Sequence, residues 1–288
     1  MKRGRAVVLA ECRQVEILLL KLFCAPTLVV TSSLAGRRWG ASLSGILVAL
    51  PIVAGPILFI TYLQHGSSFA AGAAEASLLG LVSLALFAVV FARISRRLGW
   101  LPTLTAGWAA TLVADVCLSQ LHVPAVAGLA LTVSATLAAL WLMPRAKTAP
   151  VLSTAPTWPW WDLPGRATAT GVLVLTITTA SSALGPHLTG VLAPFPIAVS
   201  VVAAFVLAQK GPVPTAATLA GALTGLFGFA AFCFCVAILV PLLGVGAFGI
   251  AALATVTVQL LVVQLRGRLH SRAPANRLRT VRAIDTHE

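Results

Sequence analysis

Two carboxylates stand alone in long apolar stretches of this 288-residue chain, and they are the first candidates for chemistry. Asp115 is the single charged side chain between residues 98 and 144, and Glu75 the single one between 39 and 92. A carboxylate in hydrocarbon costs about 2.5–3.5 kcal/mol on insertion scales, so it must face a partner, water or an ion. Asp115 is therefore a candidate proton or cation coupling residue; a hydrogen-bonded interface residue is the structural alternative. Glu75, one turn inside a helix end, is a second candidate. His65, His122 and His187 fall in loops on one side without tight ligand spacing, so they read as solvated. Cys12, Cys24, Cys117, Cys233 and Cys235 are scattered in apolar sequence and read as inert thiols. No metal site and no cofactor follow from these residues. P-loop, nucleophile-elbow, zincin and dinucleotide motifs do not occur, which excludes an ATP-driven pump in one chain and leaves no enzyme constellation.

Pro51 and Pro196 carry a different kind of chemistry. A proline within a spanning helix removes a donor and frees a carbonyl, and helices broken at matching depths point to transporter sites. Both lie near the centres of apolar runs, and Pro56 and Pro194 add a second interruption to each. An ordinary packing kink is the alternative reading.

The elements that position these residues follow from composition. The chain is 59% hydrophobic and 9% charged, with a mean hydropathy of +0.98. Soluble domains carry roughly 25% charged residues, so a soluble enzyme is excluded. The net charge of +13 would suit nucleic acid, but the charge sits in short clusters between uncharged stretches, and no nucleic-acid partner is expected. A spanning helix needs about 20 apolar residues. Cutting the apolar runs at Gly, Pro and charged turns predicts nine helices, at 17–35, 41–63, 71–92, 102–121, 123–143, 167–184, 188–209, 215–240 and 245–265. The turn at His122 is tight enough for either a full loop or a re-entrant pair.

Lys and Arg orient the bundle, because cytoplasmic loops hold the excess of both. Fifteen of the twenty basic residues lie in one set of alternate loops and the C-terminal tail. Nine spans then put the C-terminus in the cytoplasm and the N-terminus outside. Trp39, Trp100, Trp141, Trp158, Trp160 and Trp161 lie near the cytoplasmic ends, as interfacial anchors do. Lys2, Arg3, Arg5 and Arg13 disagree. Residues 1–14 read either as a short tail overruled by the other charges or as an extension ahead of a true start at Val15.

Sliding the chain on itself by 145 residues aligns 40–88 with 185–233 without a gap. Fourteen identities result, and five are Gly or Pro, which makes them positionally meaningful. They include Gly45/Gly190, Pro51/Pro196, Gln64/Gln209, Gly66/Gly211 and Gly80/Gly225, and Lys21/Arg166 extends the match backwards. Ala76-x-x-x-Gly80 and Gly221-x-x-x-Gly225 supply close-packing faces. Helices 1–4 and 6–9 are then two repeats, and the odd spacer helix makes them inverted. Glu75 and Asp115 map onto Ala220 and Leu260, so a symmetric carboxylate pair is excluded; Gln259 adjoins Leu260 as a polar substitute.

The organisation read from the sequence is an extension (1–14), a first repeat (15–121), a spacer (122–143), a cytoplasmic Pro/Trp linker (144–166), a second repeat (167–265) and a basic tail (266–288). Asp162 is placed to cap the sixth helix near its positive end. The tail arginines are placed to touch anionic lipid headgroups. The stretch Leu34 to Gly40, with Gly45, Leu50-Pro51 and the run Trp160-Trp161-Asp162-Leu163-Pro164, resembles a family of bacterial multi-pass inner-membrane proteins. The resemblance implies an inner-membrane location and carries no activity, substrate or site residue. The function expected is a secondary transporter or permease for a small neutral or hydrophobic solute, working by alternating access. A non-transporting scaffold or accessory subunit is the alternative, and the sequence sets no oligomeric state.

Overall fold

The computed structural model describes residues 22–51, 54–121, 123–144, 159–184 and 195–284, with side-chain surroundings for all of these except 177–184 and 267–284. These residues form ten helices. They are α1 (22–39), α2 (Ala41–Val48), α3 (Ala54–His65), α4 (Ser67–Ile94), α5 (Trp100–Ser119), α6 (Ala125–Leu142), α7 (Asp162–Leu184), α8 (Ile197–Lys210), α9 (Pro212–Leu243) and α10 (Gly246–Ile284). Five are long and apolar enough to cross a membrane: α4, α5, α6, α9 and the first part of α10, through Arg266. The chain is a helical membrane protein.

Two helices form the centre. The apolar window of α4 is 67% buried, whereas those of α5, α6 and α10 are 22%, 28% and 22% buried, as suits helices that face lipid. α4 packs against α9, α5 and α6. α9 packs in addition against α2, α6, α8 and α10. Leu78, Phe87 and Phe91 of α4 and Leu219, Leu223, Leu226, Val236 and Val240 of α9 fill the space between the elements.

Glycines decide how closely the elements approach. Gly45 of α2 lies against the backbone of α9: a Cβ added there would sit 1.8 Å from the Thr218 carbonyl oxygen. Gly221 and Gly225 answer from α9, with added Cβ atoms 2.0 Å from the Ser42 oxygen and 2.7 Å from the Ile46 oxygen. Two other glycines turn corners. Gly66 (φ 84°, ψ −177°) starts α4 and Gly211 (φ 81°, ψ −172°) starts α9, and each positive φ favours glycine. The Gly66 N–H donates to the Tyr62 carbonyl and the Gly211 N–H to the Leu207 carbonyl, partners separated by the same step of 145 residues as the glycines.

The contacts also fix the direction of each helix. Ser42 and Ile46 lie beside Gly221 and Gly225, Gly55 beside Phe232, and Tyr62 beside Gly244, so α2 and α3 run along α9 in the same sense. The chain reverses at Gly66, which makes α4 antiparallel to α9. Gly107 of α5 faces Phe87 of α4, and Arg93 at the end of α4 donates to the Leu142 carbonyl at the end of α6. α5 therefore returns along α4, and α6 runs with α4. Gln259 of α10 faces Gly228 of α9 on the way back. Arg37, Arg93, Arg166, Lys210 and Arg266 consequently gather at one end of the bundle, the basic end. Trp39, Trp100, Trp141, Trp160 and Trp161 are exposed near it, while Trp158 lies outside the described residues.

Several boundaries differ from those read off the sequence. The run 41–63 is two helices, α2 and α3, with Pro51 in the turn between them. Pro56 sits in the first turn of α3, where no donor is needed, and adds no second interruption. α7 begins at Asp162 rather than 167. α10 continues as helix past 265 to Ile284, so the basic tail extends the last element. α5 and α6 pack along α4 in opposite senses, and each is long and apolar enough to cross a membrane. Ala76 is exposed, so on α4 the small-residue face narrows to the buried Gly80. Pro194, His122 and His187 lie outside the described residues.

The α2–α9 crossing makes the first testable case. Gly221→Ala puts a methyl group into the Ser42 carbonyl and should destabilise the protein by about 1–3 kcal/mol or more. Gly72→Ala, which meets nothing within 4 Å on α4, should be neutral or better. Thermal unfolding of both purified variants in detergent checks the pair, and equal midpoints would deny the close contact.

Candidate functional site at the basic end

Three segments far apart in sequence meet at this end. α1 brings Ser33 and Arg37, the start of α7 brings Asp162 and Arg166, and the end of α8 brings Gln209 and Lys210. Arg166 is the largest fully buried side chain among the described residues, and Asp162 is also fully buried. The Asp162 carboxylate accepts from Arg37 Nη2 at 2.6 Å, Arg166 Nε at 2.9 Å and Gln209 Nε2 at 2.5 Å. Arg166 spends two more donors, on Ser33 Oγ at 3.4 Å and on Gln209 Oε1 at 3.3 Å, and its guanidinium lies 5.1 Å from the Phe205 ring centroid.

The i,i+4 spacing on the first turn of α7 presents Asp162 and Arg166 on one face. Burial pushes the Asp162 carboxyl up, but the hydrogen bonds from Gln209, Arg37 and Arg166 together hold it below the usual carboxylate range. Burial lowers the Lys210 ammonium, and repulsion from Arg166 and Arg37 lowers it further. Asp162 was expected to cap its helix; the bonds its carboxylate accepts come instead from side chains. Beside the network, Arg166 and Lys210 join Ser33, Ser44 and Thr218 in lining a small cavity of about 20 Å³.

The residues singled out in the sequence are not brought to one place. Asp115 is buried one turn from the end of α5, where Oδ1 accepts from Ser83 Oγ of α4 and Oδ2 has no partner among the described residues. Gln259 is buried on α10 beside Gly228 of α9, with both amide atoms unpartnered among the described residues. The buried faces match in register: Thr103, Gly107, Thr111 and Asp115 on α5 against Ala247, Ala251, Thr255 and Gln259 on α10. The step between these buried positions is 144 rather than 145. Asp115 and Gln259 each lie on an outer helix, on opposite sides of the α4–α9 pair. Glu75 is half-buried, two turns into α4. Pro51 occupies the α2–α3 turn, and Pro196 caps α8, with Ser200 Oγ donating to its carbonyl at 2.5 Å. Among the described residues no group of three His, Cys, Asp or Glu side chains could hold a metal ion.

The sequence reading missed the Arg37–Asp162–Arg166–Gln209 network as a site. The signals were the repeat matches Lys21/Arg166 and Gln64/Gln209, together with the Asp162–Arg166 spacing. No protein-family model matches this chain, and no curated protein or solved structure matches it either.

Removing one partner of a buried ion pair strands the other, at about 3–5 kcal/mol. Asp162→Asn should therefore lower stability by about that much, and Asp162→Leu combined with Arg166→Met should recover part of it. Because the folded-state carboxyl titrates below its unfolded value, its contribution is present above about pH 4 and is lost as pH falls through the folded value. Unfolding of the wild type should show this acid step, and unfolding of Asp162→Asn should lack it. An unchanged step would place the titrating group elsewhere.

Proposed function

We propose that the chain is an inner-membrane permease for a small neutral or hydrophobic solute. It has nine spans and two inverted four-helix repeats, and it works by alternating access. The first repeat is α1, the broken α2–α3, α4 and α5; the second is α7, the segment ending in α8, α9 and α10; α6 is the spacer. The supporting observation is the pairing of Pro51 and Pro196 at matching positions on helices that run in opposite senses. α2–α3 leaves the basic end, and α8 arrives there. The equal corners at Gly66 and Gly211 and the antiparallel α4 and α9 support the same symmetry. Interrupted helices in inverted repeats place binding sites near the bilayer midplane.

In this reading the basic end faces the cytoplasm, and the Asp162 network ties α1 of one repeat to α7 and α8 of the other, closing that end. Asp115 is the coupling residue. The backbone contact at Gly45 favours a second reading, a static scaffold, because a tightly packed crossing resists rearrangement.

Impermeant thiol reagents separate the two without knowledge of the solute. In a cysteine-free background, Ala49→Cys beside Pro51 and Ser200→Cys beside Pro196 start from buried positions. A permease should label at both positions from each side of sealed vesicles. A scaffold should label at neither, while Arg38→Cys still reacts from the basic side. Asp115→Asn should shift the balance of labelling between the sides with folded protein retained; an unshifted balance removes its coupling role.

A further inference from the structure

Asp115 is only 5% exposed, on the side of α5 that meets Ser83 of α4. Its Oδ2 is buried and has no hydrogen-bond partner among the described residues. Its Oδ1 meets the hydroxyl of Ser83, which is fully buried. The same hydroxyl lies 2.9 Å from the Gly80 carbonyl oxygen. A serine hydroxyl has one proton to donate. With Asp115 ionised, only one of these two oxygen contacts is a hydrogen bond. With a proton on Oδ1 both are, because Asp115 donates to Ser83 Oγ and Ser83 donates to Gly80. The helices packed against α5 are α4 and α8, and neither brings a countercharge to this place. The charged residues of α4 are Glu75 and Arg93, about 12 and 15 Å from Ser83 along the axis at 1.5 Å per residue. That of α8 is Lys210, at its far end beside Arg166. On α5 the other titratable group, Cys117, is exposed. An ionised carboxylate with one oxygen unpartnered and no cation in reach is the least favourable state in hydrocarbon. A metal cation does not remedy this. Hard cations take about six oxygen ligands, whereas the site offers two carboxylate oxygens and one hydroxyl, and α4 and α5 are unbroken helices whose carbonyls are engaged.

Resting on the permease reading, we propose that the coupling ion is a proton, carried by Asp115 and exchanged at the α4–α5 seam with Ser83 as the positioning residue. In the loaded form the proton sits on Oδ1, between the carboxyl and Ser83 Oγ, and the Ser83 proton points to Gly80. When the seam opens to water, the Oδ1–H bond breaks and the proton passes to a water molecule. The Ser83 hydroxyl then turns from Gly80 to the carboxylate left behind. The structure, with Oδ2 buried and Ser83 within reach of Gly80, is the loaded form.

The full chain in sealed lipid vesicles tests this with two readouts over one pH series. Infrared difference spectra should show a protonated-carboxyl C=O band that shifts in D2O, falls as pH rises and is missing in Asp115→Asn. Thiol labelling at Ala49→Cys and Ser200→Cys should change its balance between the two sides over the same pH range. Replacing sodium by choline at fixed pH should leave that balance unchanged. Ser83→Ala should move both transitions by about one pH unit, because an ionised acceptor gains more from a hydroxyl than a neutral one does, and Ser83→Thr should restore them. A single elution peak in detergent shows that each variant folds. No labelling at either position at any pH ends the permease reading and the coupling with it, while the band still reports on Asp115. Labelling that follows sodium or ignores pH, the absence of a band that Asp115→Asn removes, or transitions unmoved in Ser83→Ala would overturn the proton relay and leave the permease standing.

Discussion

The bundle depends on one backbone-to-backbone contact, the crossing of α2 over α9. Between helices in lipid there is no hydrophobic force, so association rests on close packing and on satisfied polar groups. Gly45, Gly221 and Gly225 remove the side chains that would hold α2 and α9 apart. The contact has a second consequence. α2 ends at Val48, and the turn through Pro51 leaves main-chain groups that lipid cannot satisfy, so such a break is tolerated only where protein covers it. α9 is that cover. With α2 docked, α3 continues along α9, the corner at Gly66 sends α4 back against the same helix, and α5 and α6 pack on α4 in turn.

Electrostatics acts at one end of this frame. The apolar middle of the bundle contains few ionisable groups, and the arginines collect where the chain enters and leaves it. Among the described arginines Arg166 is the exception to surface placement: it is buried, and it is tolerated because Asp162, Gln209 and Ser33 take up donors of its guanidinium. The same carboxylate holds Arg37 of α1, so one buried anion joins three segments. A buried ion pair adds little net stability, but removing one partner strands the other, so the shared carboxylate ties α1 to α7 and α8.

Much of this was legible in the sequence, and the reasons are physical. Uncharged runs between basic clusters gave α4, α5, α6, α9 and the apolar part of α10, because hydrocarbon thickness fixes their length. Gly66 and Gly211 marked both corners, since each needs a positive φ. Pro51 marked the break between α2 and α3. The pairing of Asp162 with Arg37 was not legible, because hydropathy reads length and orientation and carries no information about residues 125 apart. The start of α7 at Asp162 was hidden by its prolines and tryptophans, which read as a linker.

Cross-linking across the end opposite the basic cluster tests most directly whether α3 of the first half runs along α9 to the α9–α10 corner. Tyr62 of α3 and Phe248 of α10 have ring centroids 5.9 Å apart, so Tyr62→Cys with Phe248→Cys in a cysteine-free background should form a disulfide rapidly in the membrane. Tyr62→Cys with Lys210→Cys, at opposite ends of the bundle, should not. A bond in the second pair and none in the first would reverse the direction of α3 and remove the antiparallel pairing of α4 and α9 on which the account rests.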